Sequence, residues 1–196
     1  MKKVFYLFIA ITVVNFSCTN ETTTQATATE ERIENYTELI ERGREISMSA
    51  QMELLKNVST AMEQGGPTNA IGFCNIHAMP LTDSLSQSHS AKISRISNKN
   101  RNAENVLNNE LEQQLWQYYQ SHWASAKQVD TVVSSQGKTI YYKPISIAMP
   151  ACLKCHGEPT VDIAENTLAL IDSLYPNDKA KHYKLDDFRG LWKIEF

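Results

Sequence analysis

Apolar residues recur three or four positions apart from Glu31 to Gln64, at Ile33, Tyr36, Leu39, Ile40, Ile46, Met48, Met52, Leu55 and Val58. That spacing predicts a long amphipathic helix, which Gly65-Gly66-Pro67 ends. A second helical pattern follows at Ala70, Ile71, Cys74, His77, Ala78, Leu81 and Leu85, and it sets Cys74 on the core-facing stripe. Pro80 lies inside the pattern and cannot donate to the carbonyl of Ile76, so a kink or stop is expected there. Ala91 to Ser97 reads as a short strand. Glu104 to Trp123 reads as a helix with Val106, Leu107, Leu111, Leu115, Tyr118 and Tyr119 as its apolar stripe. Val129 to Val133 and Thr139 to Tyr142 flank Ser134-Ser135-Gln136-Gly137-Lys138 as a hairpin, Ile163 to Leu174 forms a short helix, and Leu191 to Phe196 alternates like a final strand. The expected fold is α+β: a small antiparallel sheet flanked by helices, behind a long N-terminal helix.

The chemistry concentrates in Cys152-Leu153-Lys154-Cys155-His156. Two thiols and an imidazole at this spacing are the attachment pattern of a c-type haem, in which each sulfur adds to a porphyrin vinyl group and the histidine ligates iron. Three other readings compete. A thioredoxin-like redox pair belongs early in its domain, whereas this motif lies near the C-terminal end behind Ala148-Met149-Pro150-Ala151. A structural zinc site would draw on Cys74-Asn75-Ile76-His77 to complete a Cys3His set. The third reading is two buried or disulfide-linked cysteines beside an incidental histidine.

The N-terminus bears on this choice. Met1-Lys2-Lys3 is basic, and Val4 to Val14 is an apolar run too short to span a bilayer. Residues 1–17 therefore read as a bacterial-type signal peptide, with Cys18 as the lipidated first residue of the mature chain; Asn15 and Phe16 depart from the usual aliphatic-then-small pattern, which leaves ordinary cleavage or an uncleaved anchor as the alternative. Residues 18–30 form a polar tether, and 31–196 suit one domain. The expected location is periplasm-facing and membrane-anchored, on the side where bacteria attach haem covalently. With Cys18 assigned to lipid and Cys152 and Cys155 to thioethers, Cys74 is the one cysteine left over. An unpaired exported thiol invites oxidation, so metal ligation or deep burial is expected for it. Net charge is −3 with no basic cluster past the signal, which points away from nucleic acid as a partner.

Most of Ile71 to Phe196 resembles a bacterial family of single-haem c-type proteins with a Per-Arnt-Sim-like (PAS-like) fold, long catalogued as a domain of unknown function. The resemblance rests on Ala70-Ile71-Gly72-Phe73-Cys74, on Arg101-Asn102 with Asn105, and on Lys143-Pro144-Ile145 leading into Cys152 to Gly157. Tyr175-Pro176-Asn177-Asp178-Lys179-Ala180 and Arg189-Gly190 complete it. Ala103 stands where the family tends to have proline, and Lys181-His182 and Asp186 stand where small residues or glycine are usual. The resemblance implies His156 and Cys74 as the two axial iron ligands. From the residues alone, Met79, Met149, His77, His89, His122 and His182 are also available as a second ligand, and a buried structural thiol is the alternative reading of Cys74.

The second ligand decides the kind of haem protein, because methionine raises the potential whereas thiolate favours ferric iron and lowers it. With both axial positions filled, no enzyme is expected. The expected function is a redox or small-molecule sensor module, with a low-potential electron-transfer cytochrome c as the alternative. Either role requires a redox or signalling protein as partner. Arg95, Arg101 and Tyr142 are groups that could reach haem propionates, and each reads equally as a surface residue or a core hydrogen-bonder.

Overall fold

The computed structural model describes the backbone from Glu21 to Phe196 apart from Gln136, with side chains from Arg32 onward. Cys18 and the expected signal peptide lie outside the described residues. The chain divides into two units, Met1–Asn35 and Tyr36–Phe196. The described part of the first is helical, and the fold and site belong to the second.

Helix α1 (Glu21–His89) begins ten residues before the expected Glu31, so most of the stretch taken as a tether is helical. It is not straight. Gly65 (φ −163°, ψ 22°) and Gly66 (φ 70°, ψ −165°) leave helical geometry, and the chain doubles back there. The side chain of Asn69 donates to the carbonyl of Ala61 (2.9 Å), and His89 Nε2 lies 3.3 Å from Ser49 Oγ. Forty residues of straight helix would separate that second pair by about 60 Å. Pro80 does not end the second arm, which runs on to His89. Ile76 and Pro80 are both exposed, so water can take the carbonyl that proline leaves unpaired, while Ala78 and Thr82 hold the buried side.

The first arm buries a different stripe from the one its large residues suggest. Ile40, Ser47, Ala50 and Ala61 are buried, whereas Met48, Met52 and Leu55 are exposed. Small residues face the sheet because the helix lies close to it. A Cβ placed on Gly43 would meet the Tyr141 ring at 2.3 Å.

After the Schellman-type turn at Ser90 (φ 48°) comes β1 (Lys92–Ile96). Helix α2 (Glu110–Ser121) starts six residues later than expected. Asn109 Oδ1 accepts from Glu112 N (2.9 Å), and the Glu112 carboxylate reaches back to Asn108 N (2.7 Å), a reciprocal cap that fixes the start. Its buried face is Glu112, Trp116 and Tyr119; Tyr118, expected inside, is exposed. The one-turn α3 (Trp123–Ala126) leads to β2 (Thr131–Ser135), which pairs with β3 (Lys138–Ser146) as the expected hairpin. Strand β2 lies two residues later than expected and β3 extends past Thr139 and Tyr142 at both ends, leaving a shorter loop. Then come α4 (Pro150–His156), α5 (Glu165–Leu174) and β4 (Phe188–Glu195).

The strands form one antiparallel sheet in the order β1-β4-β3-β2. Strand β4 is central and covered on both faces. Trp192 and Ile194 pack with Tyr141, Ile93 and the α1 residues Ile40, Ile46 and Ala50. Leu191 and Phe188 pack with Tyr142, Trp116 and Tyr119 on the opposite face. The α+β class expected from the pattern is the class observed.

Candidate functional site

The motif occupies α4. Met149 is extended, and Pro150 sits in the first turn, where a missing N–H costs nothing. Because Cys152 and Cys155 are three residues apart on a helix, their side chains share a face, and His156 follows within the same turn. Cys152 packs near Ile147, Ala180 and Tyr183, and Cys155 packs near Ile71, Ile163 and Ile171. Both are free thiols, as is Cys74, so the disulfide reading of the motif is not met.

The imidazole of His156 is held by the backbone. Its Nδ1 lies 2.8 Å from the carbonyl oxygen of Ala180. A carbonyl can only accept, so Nδ1 carries the proton and Nε2 keeps its lone pair. Burial, with the nearby Arg189 and Arg101 guanidiniums adding to it, pushes the histidine well below its usual pKa, against the opposing pull of the Ala180 bond. The ring is therefore neutral at pH 7. Tyr183 stands edge-on to it at 6.3 Å.

Arg101 fixes the carbonyls around that ring. It donates to Cys155 O (2.6 Å) and Ala180 O (3.3 Å), and its fork pairs with Asp178 at 3.2 and 3.1 Å. Asp178 in turn accepts from Ala180 N (2.8 Å). The end of α4 and the turn at 178–180 are thus tied by one buried ion pair.

Cys74 lies on the second arm of α1, one turn beyond Ile71, which shares an apolar cluster with Cys155, Ile163 and Ile171. Burial pushes the Cys74 thiol up, while Arg95 and Arg101 pull it down. Burial pushes Cys155 up to about 11, against Arg101 and with Cys74 and Cys152 adding to the rise. Three thiols and one histidine therefore share a single electrostatic neighbourhood.

The other candidate ligands mostly point elsewhere. His77 is exposed and pairs with Phe73 at 5.4 Å; His89 contacts Ser49; His122 stacks on Tyr118 at 4.9 Å; and His182 pairs with Glu158 at 3.0 Å. Met149 is exposed at the cap of α4. Among the described residues no three His, Cys, Asp or Glu side chains converge as a metal ion requires, so the Cys3His zinc set is not formed. His182 and Asp186 adopt φ of 65° and 67°, the left-handed region where glycine is easiest, at two of the positions where the resemblance leads one to expect small residues.

Residues 17–196 match the family described as Tll0287-like. The chain belongs to that family. Its fold matches the crystal structure of the cyanobacterial heme-protein Tll0287 with a TM-score of 0.56 at 18% identity, over 76% of this chain and 91% of that one. None of the curated proteins matches it. Within this Tll0287-like chain, the sequence singled out Cys74, Cys152, Cys155 and His156, which the structure brings into one neighbourhood, but assigned no role to the Ala180 carbonyl, Tyr183 or Arg189 beside them. A backbone acceptor leaves no sequence signal. Arg189 was visible in the Arg189-Gly190 pair without a role attached.

Proposed function

We propose that this chain is an exported, lipid-anchored c-type haem protein, with Cys152 and Cys155 as thioether attachment points and His156 and Cys74 as axial ligands. The observation that carries the proposal is His156. A neutral ring with Nδ1–H held by Ala180 O and a free Nε2 lone pair is the tautomer that metal ligation needs. The rest of the donor set fits a haem. Two thiols share a helical face beside the ligand, a third approaches from another helix, and the lining is apolar.

Bound haem would supply reversible one-electron chemistry at iron. This chain's residues would hold it covalently, orient the imidazole through Ala180 and exclude water with Ile71, Ile163 and Ile171. With His156 and Cys74 both in place, a small molecule gains access only when one side chain leaves, which suits a redox or small-molecule sensor with a protein partner as its output. Membership of the Tll0287-like family and the fold shared with a heme-protein support the cofactor.

Purified holoprotein should keep a Soret chromophore through acid–acetone extraction, and a colourless protein with stoichiometric zinc would sink the reading. Cys74→Ser should change the ferric low-spin spectrum and raise the midpoint potential, since a thiolate donor is lost. Unaltered spectra in both redox states would remove Cys74 from the iron. Carbon monoxide added to the reduced protein distinguishes the roles: ligand displacement indicates sensing, whereas inertness with fast reversible cycling indicates electron transfer.

A further inference from the structure

We infer that Arg95 and Arg189 bind the two carboxylates of the cofactor, the haem propionates; this rests on the haem reading above. The inference starts from a charge imbalance. Arg95 on β1, Arg101 on the loop after it and Arg189 on β4 all act on His156, and Arg95 and Arg101 also act on Cys74. Three guanidiniums therefore surround one site. One carboxylate, Asp178, pairs with them, and it is taken by Arg101.

The other two lack a counter-ion. Among the described residues, Arg95 has no carboxylate within 4.0 Å and no hydrogen-bond acceptor; its neighbour is the Trp192 ring, 5.7 Å away. Arg189 uses one nitrogen, Nη1, for Ser97 Oγ (3.0 Å) and Lys99 O (3.1 Å), again without a carboxylate. Beside it, the buried Tyr183 hydroxyl faces Ser97 and Arg189 but makes no hydrogen bond of ordinary geometry among the described residues. Both side chains are partly buried, where a charge without a partner is costly, and desolvation shifts both arginines below their ordinary range. Two unneutralised forks match two carboxylates in number and in bidentate geometry. They also approach from two sides. Arg95 lies on the sheet face covered by α1, across from Trp192, and Arg189 lies beside Tyr183 and the motif histidine. Tyr142 is excluded, because its hydroxyl faces Glu112 (3.4 Å) on the opposite side of the sheet.

The test uses holoprotein carrying Arg95→Met, Arg95→Lys or Arg189→Met, with haem content measured by the pyridine haemochrome. Arg95→Met should retain covalent haem, shift the propionate bending band in resonance Raman and lower the midpoint potential, because a cation that favours ferrous iron is gone. Arg95→Lys should restore the potential in part. The same shifts should persist in a Cys74→Ser background; their disappearance there would assign Arg95 to the sulfur and overturn the proposal. Full haem content with an unmoved band in both methionine variants would overturn it as well. The Arg95 side chain makes no hydrogen bond among the described residues, so its variants leave no backbone group unpaired and keep the test decisive if Arg189→Met fails to fold. A colourless wild type is a different result, which overturns the haem reading and this inference together.

Discussion

At the scale of single residues, Arg101 does the most to keep the motif in place. Its guanidinium and Asp178 are almost wholly buried, with side chains 9% and 1% exposed, and the pair closes the end of α4 onto the turn that presents Ala180 O to His156. Arg101→Met would leave the Asp178 carboxylate buried with the Ala180 N–H (2.8 Å) and, as its remaining cation, the more distant Lys181 Nζ at 3.9 Å. Breaking such a pair from one side costs about 3–5 kcal/mol, most of it the stranded charge. The expected outcome is that loss in urea denaturation, with Arg101→Met/Asp178→Asn recovering a large part of it. A double variant no more stable than the single would mean that Arg101 acts through the Cys155 and Ala180 carbonyls instead. Such pairing was not legible beforehand, because 77 residues separate its members. The motif was legible, since its three side chains lie within one helical turn and their spacing alone sets their relation.

At the scale of elements, helices and strands were legible where the period was local, and their inward faces were legible only in part. The two arms of α1 and their break follow from Gly65-Gly66-Pro67. The first arm's inner face did not follow, because Gly43, Ser47 and Ala50 carry the contact while the larger Met48 and Met52 remain outside. A reading weighted by hydrophobicity selects the wrong side when close approach, not apolar bulk, decides the packing. Helix α2 was expected too early because the reciprocal Asn109 and Glu112 cap is a stronger start signal than the apolar residues before it. Gly43→Ala tests the close approach. Alanine is the better helix former by about 1 kcal/mol, yet its Cβ would lie 2.3–2.7 Å from three carbons of the Tyr141 ring. Overpacking should win, with a net loss of about 1–3 kcal/mol in chemical denaturation. A stabilised variant would show that α1 can lift from the sheet at no cost.

For the whole molecule, the first arm of α1 is joined to the sheet by charge as well as by packing, and this gives the fold a predictable response to acid. Arg44 holds Asp130 through two bonds of 2.6 and 2.8 Å, and the Tyr141 hydroxyl donates to the same carboxylate at 2.8 Å. Burial alone would raise the Asp130 pKa, but Arg44 and Tyr141 outweigh it and the carboxyl ends below its usual range. Glu195 behaves in the same way, with Lys138 and Lys193 outweighing burial. Both groups have folded-state values below their unfolded ones. As pH falls through the ordinary carboxylate range near about 4, the unfolded chain takes up protons that the folded chain still refuses, so stability drops. The contribution is fully present above that range and is lost as pH falls toward the folded values. Asp130→Asn removes one of the two sources. At pH 7 it should cost about 1–3 kcal/mol, because Tyr141 and Arg44 lose a charged acceptor, although Arg44 is half-exposed and can hydrate. Between pH 5 and 3 the variant's stability should fall less steeply than that of the wild type, with Glu195 supplying the slope that remains. Urea midpoints at half-unit pH steps measure this. Parallel curves for the two proteins would show that Asp130 has the same proton affinity folded and unfolded, and that packing alone, through the Tyr141 and Gly43 contact, seats α1 on the sheet.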